Sequence, residues 1–345
     1  MTKYRSVYRT ILLSALLTGL ICSPAWAAPN QGFLVGWGNN SYGQTNVPAG
    51  NDFVAIAGGL YHSLVMKSDG SLAGWGDNTY GQANVPAGND FVAFAGGGYH
   101  GLALKSDGSL AGWGDNTYEQ SNVPAGNDFV AIAGGGSHSL ALKSDGSLAG
   151  WGYNGYGQTT VPAGNGFVAI AASVNHYSLA LKSDGSLAGW GYNEYGQTDV
   201  PAGNDYVAIA AGGNHSLALK SDGSLAGWGD NAYGQSNVPA GNDFVAIAAG
   251  VLHSLALKSD GSLAGWGWNF FGQTTVPAGN NFAAIAAGGY HNLTIRQVPE
   301  PASLAILALG VIALALHRSR RRTGRLSLIC LMSVTAALAV LGDVR

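Results

Sequence analysis

The sequence KSDGSLAGWGDN, at residues 67–78, recurs along the chain with few changes and decides the fold. Its Gly-Trp-Gly core returns at intervals of 38 residues, or once 39, and is centred on Trp37, Trp75, Trp113, Trp151, Trp190, Trp228 and Trp266. Residues 31–297 therefore hold seven units of 38 residues plus one inserted residue, which lies near His176 and Tyr177. Fixed periods of 20–50 residues are typical of solenoids and propellers.

Each unit contains three apolar segments with the character of β-strands. Residues 64–67 and 72–75 flank an Asp-Gly pair, which favours a two-residue type I′ hairpin. That turn predicts that Leu64 pairs with Trp75 across the hairpin, with the tryptophan in the core. The continuous run at residues 53–57 predicts a third strand that is buried on both faces.

A fourth, short segment is expected at Val85-Pro86, because proline cannot donate to a central ladder and stays at a sheet edge. Three strands and an edge segment in every unit predict the four-stranded blade of a propeller.

The phase of the repeats indicates how the ends meet. In an internal unit, the Gly-Trp-Gly strand follows the Asp-Gly hairpin. The first unit begins at Gln31 with this strand and has no hairpin before it. The last unit ends at Gln297, at the point where its hairpin would begin. Pairing of the two terminal strands would complete one blade and remove the sheet edges. The sequence therefore predicts an all-β, seven-bladed β-propeller closed by its N- and C-terminal strands and flanked by hydrophobic terminal segments.

The repeat resembles the short bacterial form of the regulator of chromosome condensation repeat. The resemblance rests on residues 54–59 (VAIAGG), 62–64 (HSL), 69–72 (DGSL) and 74–82 (GWGDNTYGQ), and on their counterparts in every unit. It implies a seven-bladed propeller closed by a terminal strand. The nucleotide-exchange activity of the eukaryotic namesake is not expected here, because the terminal segments and the charge of the repeats, both described next, do not fit a nuclear protein.

The N-terminus has the three parts of a secretory signal peptide at residues 1–27. Basic residues precede an apolar run, and Ala25-Trp26-Ala27 fits the small-x-small rule for cleavage before Ala28. An uncleaved membrane anchor is the alternative, although the apolar run is shorter than a span.

Near the C-terminus, Pro299-Glu300-Pro301 precedes an apolar run at residues 302–316, and Arg320, Arg321 and Arg322 belong to the basic cluster that follows. With these three parts in order, residues 298–322 resemble a PEP-CTERM sorting signal. The resemblance implies a Gram-negative bacterium and processing by an exosortase, with transient anchoring in the inner membrane before release to the cell surface or extracellular matrix. A plain tail anchor is the alternative.

A second apolar segment at residues 326–341 departs from the sorting-signal pattern. It would either form a hairpin with the first segment or result from read-through of a displaced stop.

Charge and cysteine content exclude several functions for the repeat region. Residues 31–297 contain seven Lys or Arg against seventeen Asp or Glu, which gives a formal charge of −10. An acidic body repels phosphate backbones, so nucleic acid is not an expected partner. The two cysteines, Cys22 and Cys330, lie in the terminal segments, so the repeats have no thiol chemistry or disulfides.

The repeated polar residues suggest chemistry but favour structural roles. One histidine per unit forms a series at His62, His100, His138, His176, His215, His253 and His291. Equivalent atoms in adjacent blades would lie roughly 9 Å apart, too far to share a zinc ion that needs ligands at about 2 Å. His62 and Ser63 are strand neighbours that point to opposite faces, which argues against a catalytic dyad. We therefore expect buried histidines bonded to backbone near the Gly-Gly bend, with no cofactor, no metal and no enzyme site.

Differences between units indicate where a specific surface would form. The candidate binding residues precede the histidine or follow Gly-Trp-Gly, and they are Tyr61, Tyr99, Tyr153, Tyr192, Trp268, Phe270 and Tyr290. Exposed aromatic side chains are typical interface anchors, although neutral drift at loop tips gives the same pattern.

Two functions remain open. One is an exported scaffold that binds a surface protein through its loops. The other is a multivalent lectin for exopolysaccharide that gains avidity from repeated weak sites.

Overall fold

The computed structural model describes residues 32–297, which form twenty-one β-strands and no helix. None of these residues belongs to a helix that could cross a membrane. The predicted signal peptide, the sorting signal and the second apolar segment all fall outside the described residues. The strands are β1 (Gly32–Gly38), β2 (Phe53–Gly58), β3 (His62–Lys67), β4 (Leu72–Gly76), β5 (Phe91–Gly96), β6 (His100–Lys105), β7 (Leu110–Gly114), β8 (Phe129–Gly134), β9 (His138–Lys143), β10 (Leu148–Gly152), β11 (Phe167–Ala172), β12 (Tyr177–Lys182), β13 (Leu187–Gly191), β14 (Tyr206–Ala211), β15 (His215–Lys220), β16 (Leu225–Gly229), β17 (Phe244–Ala249), β18 (His253–Lys258), β19 (Leu263–Gly267), β20 (Phe282–Ala287) and β21 (His291–Gln297).

Six blades consist of three consecutive antiparallel strands each. They are β2–β4, β5–β7, β8–β10, β11–β13, β14–β16 and β17–β19. The strands β20, β21 and β1 pair in the same order, although β1 comes from the start of the described chain.

The two terminal strands pair along their whole length. β1 and β21 are antiparallel over seven residue pairs, from Gly32 opposite Gln297 to Gly38 opposite His291. One further pair, Gly32 with Phe53, joins β1 to β2, so that the sheet at this junction has six strands.

The hairpin register differs by one residue from the predicted one. Ser63, not Leu64, lies opposite Trp75, and Leu64 lies opposite Gly74. The loop has three residues rather than two, because Lys67 N donates to Ser71 O and Gly70 N donates to Lys67 O. Gly70 has a φ of +84°, which a type I turn followed by a left-handed residue requires. The predicted type I′ turn and its pairing were therefore wrong.

The stretch around Val85-Pro86 is a loop and not a fourth strand. It runs close along the outer strand, since a Cβ added to Gly74 of β4 would lie 2.6 Å from the carbonyl oxygen of Ala83. The loop therefore covers the edge of the blade without joining the ladder.

The hydrophobic core lies between neighbouring blades. Leu102 and Leu104 of β6, for example, pack with Phe129 and Ile132 of β8. The first strand of each unit faces inward. β2, β5, β8, β11, β14, β17 and β20 together line one central cavity of about 270 Å³, walled mainly by alanine and isoleucine. Each of these strands contacts the next, and β20 contacts β2.

Backbone hydrogen bonds between neighbouring units follow the same cyclic order. Leu60 N donates to Gly98 O, Gly98 N to Gly135 O, and Gly289 N to Gly59 O. The approach is close, because a Cβ on Gly59 would lie 2.7 Å from Gly97 O and a Cβ on Gly288 would lie 2.7 Å from Gly59 O. The Gly-Gly bends are therefore the points at which the backbones of successive units meet.

Candidate binding surface

The two ends of the blades differ in charge. Every Lys and Arg of residues 32–297 lies at the end that carries the Ser-Asp-Gly hairpins, which we call the hairpin end. The opposite end, formed by the loops before the histidines and after Gly-Trp-Gly, is called the aromatic end. Within the described residues it has six carboxylates and no Lys or Arg, the carboxylates being Asp77, Asp115, Glu119, Glu194, Asp199 and Asp230. An anionic partner is therefore disfavoured at the aromatic end.

The hairpin end is a closely repeated pattern of exposed ions. In each hairpin the aspartate accepts from the backbone and hydroxyl of the serine two residues on, as Asp69 Oδ1 does from Ser71 N (2.9 Å) and Oγ (2.7 Å). These bonds lower the pKa of Asp69 and keep it ionised. Exposed ion pairs such as Lys143 with Asp128, at 3.2 Å, stabilise folds only slightly. The repetition gives this end no distinctive site.

Loops at the aromatic end use most of their polar groups internally. In one of them, Asn78 Nδ2 donates to Asn84 Oδ1 (2.9 Å), Ala83 N donates to Asn78 Oδ1 (2.9 Å), and Tyr80 N donates to Gln82 Oε1 (2.8 Å). Turn formation thus explains the amide and acid residues of the repeat. The tyrosine is left about half exposed.

The repeated tryptophans are structural. Trp75 is half buried, and its Nε1 donates to Gln44 O at 2.8 Å, a bond to the preceding unit that every Gly-Trp-Gly repeats. Ser63 Oγ donates to the same carbonyl at 2.8 Å. The predicted core role of the tryptophan is right, but its partner is not Leu64.

Buried histidines link neighbouring units through a contact that the sequence did not reveal. His100 Nε2 lies 2.9 Å from Ser139 Oγ, and His291 Nε2 lies 2.9 Å from Ser63 Oγ. The predicted bonds from these side chains to backbone were wrong; the partners are side chains of the next unit. Because Ser139 Oγ already donates its only proton to Gln120 O, His100 Nε2 is the donor in this pair.

That proton count decides the chemistry of the histidine–serine pairs. A histidine that donates to the hydroxyl cannot act as its base, and both residues of the pair His100–Ser139 are fully buried. Burial lowers the pKa of His62, His138, His215 and His291 to about 3 and of His100 and His253 to about 4. The six histidines are neutral structural donors at neutral pH. The described residues hold no group of three or more potential metal ligands.

Two units break the series. Gly101 stands where other units have serine or asparagine, so His62 has no hydrogen-bond partner for either ring nitrogen. In the unit with the inserted residue, Tyr177 occupies the buried position of the histidine, and its hydroxyl donates to His215 O and lies 3.0 Å from Ser216 Oγ. His176 is consequently displaced toward the aromatic end, where it adopts a φ of +68°.

The structure places all seven candidate residues at the aromatic end, in two groups. Five of them belong to one continuous aromatic group, here the Trp268 cluster, in which ring centroids of neighbours lie 5.0–6.4 Å apart. Its members are Tyr42, Tyr61, Tyr80, Tyr99, Tyr233, Trp268, Phe270, Phe271 and Tyr290. Phe270 is the most exposed of the large apolar side chains in the described range, at 77%.

Tyr153 and Tyr192 belong to the second group, here the His176 cluster. It consists of Tyr118, Tyr153, Tyr156, His176, Tyr192 and Tyr195. Tyr192 donates its hydroxyl to Glu194 Oε2 at 2.6 Å, and this bond raises the pKa of Tyr192 to about 12. The members Tyr118, Tyr156, His176 and Tyr195 were not predicted from the sequence, although the inserted residue was a signal.

Comparison with known proteins identifies the family of this repeat. The profile of the regulator of chromosome condensation (RCC1) repeat matches six segments that make up just over half of the chain, at residues 53–82, 91–120, 129–158, 167–197, 206–235 and 244–273. The chain belongs to the RCC1 repeat family. The resemblance predicted from the sequence is thus confirmed.

The C-terminal prediction is confirmed as well. The PEP-CTERM protein-sorting motif matches residues 297–322 of this RCC1-repeat protein. The motif indicates export in a Gram-negative bacterium and implies processing by an exosortase.

Solved structures show the fold at low sequence identity. Prp20p from Saccharomyces cerevisiae, described with its binding to Gsp1p and histones, is 18% identical over 80% of this chain and 94% of its own, with a TM-score of 0.68. Human WBSCR16 is 18% identical over 76% of this chain and 98% of its own, with a TM-score of 0.62. The ectodomain of the Physcomitrella patens receptor kinase CR4 is 23% identical over 71% of this chain and 70% of its own, with a TM-score of 0.60. No curated protein matches significantly in sequence.

Proposed function

We propose that this RCC1-repeat protein is an exported, non-enzymatic scaffold that binds a partner protein through the Trp268 cluster. Two observations on the cluster support the proposal. It contains Phe270, the most exposed aromatic residue of the described range, which stacks on Trp268. Trp268 in turn contacts Tyr290, and most other units have different residues at the positions of Trp268 and Tyr290. Aromatic side chains that are held in place by their neighbours are the usual anchors of protein interfaces. The partner would present neutral or basic groups, since the aromatic end, as far as residues 32–297 form it, bears carboxylates and no Lys or Arg.

The scaffold is proposed to be a closed ring of seven blades. The pairing of β1 with β21, the shared central cavity and the cyclic contacts between inner strands all support this count. A ring without free sheet edges would hold the loops of the aromatic end in fixed positions.

The domain organisation is proposed from the sequence and the sorting motif. Residues 1–27 would be removed on export, residues 31–297 would form the propeller, and residues 298–322 would hold the chain in the inner membrane until the exosortase acts. The role of residues 326–341 is left open. The mature protein would act at the cell surface or in the extracellular matrix.

An enzymatic role is not supported by the polar residues of the repeats. The histidine–serine pairs are buried, and in them the serine proton goes to a backbone carbonyl. The unit-to-unit repetition offers no unique constellation of acid, base and nucleophile.

A multivalent lectin for exopolysaccharide is the second candidate. Half-exposed aromatic side chains at equivalent loop positions favour it, and they are Tyr42, Tyr80, Tyr118, Tyr156, Tyr195, Tyr233 and Phe271. Most of the neighbouring amides and carboxylates already bond within their own loops, which leaves few groups to read sugar hydroxyls. We therefore favour the protein-binding function.

A binding assay with the full chain separates the two functions. The probes are purified exopolysaccharide and an extract of outer-surface proteins, and the variants are Phe270→Ser and the control Phe33→Ser, since Phe33 is also exposed but lies near the hairpin end. Saturable capture of one protein that Phe270→Ser alone weakens tenfold or more supports the scaffold. Glycan binding with several equivalents per chain would replace it with the lectin, and binding of neither probe would exclude both.

A further inference from the structure

The unit with the inserted residue contains a pocket at the aromatic end. Because Tyr177 fills the buried histidine position, His176 projects at the aromatic end and stacks on Tyr156, with ring centroids 5.8 Å apart and an interplanar angle of 16°. A non-glycine residue with a φ of +68° is strained and persists only where its surroundings hold it. The insertion therefore builds a local structure that departs from the repeat.

The pocket has a volume of about 220 Å³ and is lined by Tyr156, Asn175, His176, Tyr192, Tyr195 and Asn214. Tyr192 stands edge-on to Tyr156, with centroids 5.0 Å apart, and also contacts Tyr195. The walls are thus aromatic on several sides. The size is suited to a single ring rather than to a drug-sized ligand, for which about 300–1,000 Å³ is typical.

Polar groups at this pocket keep bonding capacity that the repeated loops have used. Asn175 Nδ2 donates to Asn214 Oδ1 at 3.1 Å, which leaves Asn175 Oδ1 and Asn214 Nδ2 without a hydrogen bond to other described residues. His176 Nε2 likewise forms no hydrogen bond to other described residues and is accessible to solvent, whereas Nδ1 is buried beyond the reach of a ligand. An acceptor, a donor and an imidazole nitrogen therefore remain for a ligand.

We propose that this pocket binds one neutral pyranose ring. The apolar face of a sugar would lie against the aromatic walls, and its hydroxyls would bond to Asn175, Asn214 and His176. Phosphate, sulfate and carboxylate ligands are excluded by the absence of Lys and Arg from the described part of the aromatic end and by the nearby Glu194 and Asp199. The site would occur once per chain, unlike the repeated weak sites of a multivalent lectin, and it is separate from the Trp268 cluster.

The test uses the full chain, purified in a detergent that lacks a sugar headgroup. Saturation-transfer NMR is run with glucose, galactose, mannose and N-acetylglucosamine, together with choline as a cationic probe. We expect one of the sugars to receive saturation from the protein, most strongly at the protons of its apolar face. Absence of sugar binding at tens of millimolar, or binding of choline alone, overturns the proposal.

Two variants locate the site. Replacing His176-Tyr177 by a single histidine restores the 38-residue repeat, which the neighbouring units show to be compatible with the fold, and should abolish sugar binding. Asn214→Ala leaves the backbone unchanged and should weaken binding at least tenfold. Phe270→Ser is the control and should leave sugar affinity unchanged, so that a loss of protein capture in this variant tests only the scaffold function. Sugar binding that persists in the restored-repeat variant contradicts the assignment.

Discussion

Nε2 of His291 lies 2.9 Å from Oγ of Ser63, although the two residues are 228 positions apart in the chain. The bond repeats the contact of His100 with Ser139 and of His215 with Ser254, which join neighbouring blades. The last unit thus contacts the first as any unit contacts the next. This relationship supports the proposal of a closed ring.

Reciprocal substitutions test the histidine–serine contact. Ser139→Gly removes the acceptor for His100 and leaves a buried donor unpaired, which should lower the free energy of unfolding by about 1–3 kcal/mol. Gly101→Ser supplies the missing partner of His62 and should raise the free energy of unfolding by about 1 kcal/mol, once the Trp113 ring shifts to make room for the new Cβ. Thermal unfolding measures both, and 1 kcal/mol corresponds to roughly 2–4 °C in a domain of this size. Equal destabilisation by the two changes would contradict the contact's role.

Acid should unfold the protein over a narrow pH range. The six buried histidines have pKa values of about 3 to 4 in the folded state, against 6.5 when exposed. Between these values the unfolded chain binds more protons, so the contribution of these histidines to the free energy of unfolding is present above pH 6.5 and is lost as the pH drops below it. Each histidine contributes about 1.4 kcal/mol per pH unit, or roughly 8 kcal/mol per unit for six. Denaturant titrations from pH 7.5 to 5 measure the slope.

His100→Gln provides the control for the pH effect, because its amide still donates to Ser139 but does not titrate. The slope should decrease by about one sixth. An unchanged stability between pH 7 and pH 5 would show that the histidines do not control acid unfolding.

The sequence allowed much of this architecture to be predicted. The phase of the units, from Gln31 to Gln297, predicted that the terminal strands pair, and β1 does pair with β21. The hairpin register was wrong because Asp69-Gly70 is compatible with both two-residue and three-residue loops. The hydrogen bonds from Lys67 N to Ser71 O and from Gly70 N to Lys67 O identify the three-residue loop.

The candidate site was less accessible to sequence analysis. All the predicted aromatic residues lie at one end, yet their division into two clusters depends on distances between blades, which the repeat does not encode. The contact of His100 with Ser139 was missed for the same reason. The displacement of His176 could have been inferred from the inserted residue, but its replacement by Tyr177 in the core depends on packing.

Glu119 lies in a strained turn at the aromatic end. Glu119 has a φ of +66° at a position where the other units have glycine. Glu119→Gly should therefore raise the free energy of unfolding by about 1–2 kcal/mol. The matched change Gly157→Ala should lower it by a similar amount, since an added Cβ there meets no atom within 4 Å and only the positive φ matters. Opposite shifts in the thermal midpoint are expected, and shifts of the same sign would contradict the strain.

An engineered disulfide tests the proposed closure. Phe33 and Arg296 are Cα partners on β1 and β21, and the repeats contain no cysteine. In a background without Cys22 and Cys330, Phe33→Cys with Arg296→Cys should form an intramolecular disulfide under mild oxidation, seen as a mobility shift without reductant. Phe33→Cys with Gln297→Cys is the control, because adjacent strand residues point to opposite faces. Cross-linking of the control alone would refute this strand register.

Photo-crosslinking tests the binding surface most directly. Benzoylphenylalanine replaces Phe270 in the Trp268 cluster or Phe33 near the hairpin end, both of which are exposed aromatic positions. The exported full chain is then irradiated at the surface of cells that produce the sorting enzyme. If the partner protein binds at the Trp268 cluster, a discrete protein adduct is expected from position 270 and none from position 33. Adducts from position 33 alone, or equal adducts from both positions, would contradict a binding surface at the aromatic end.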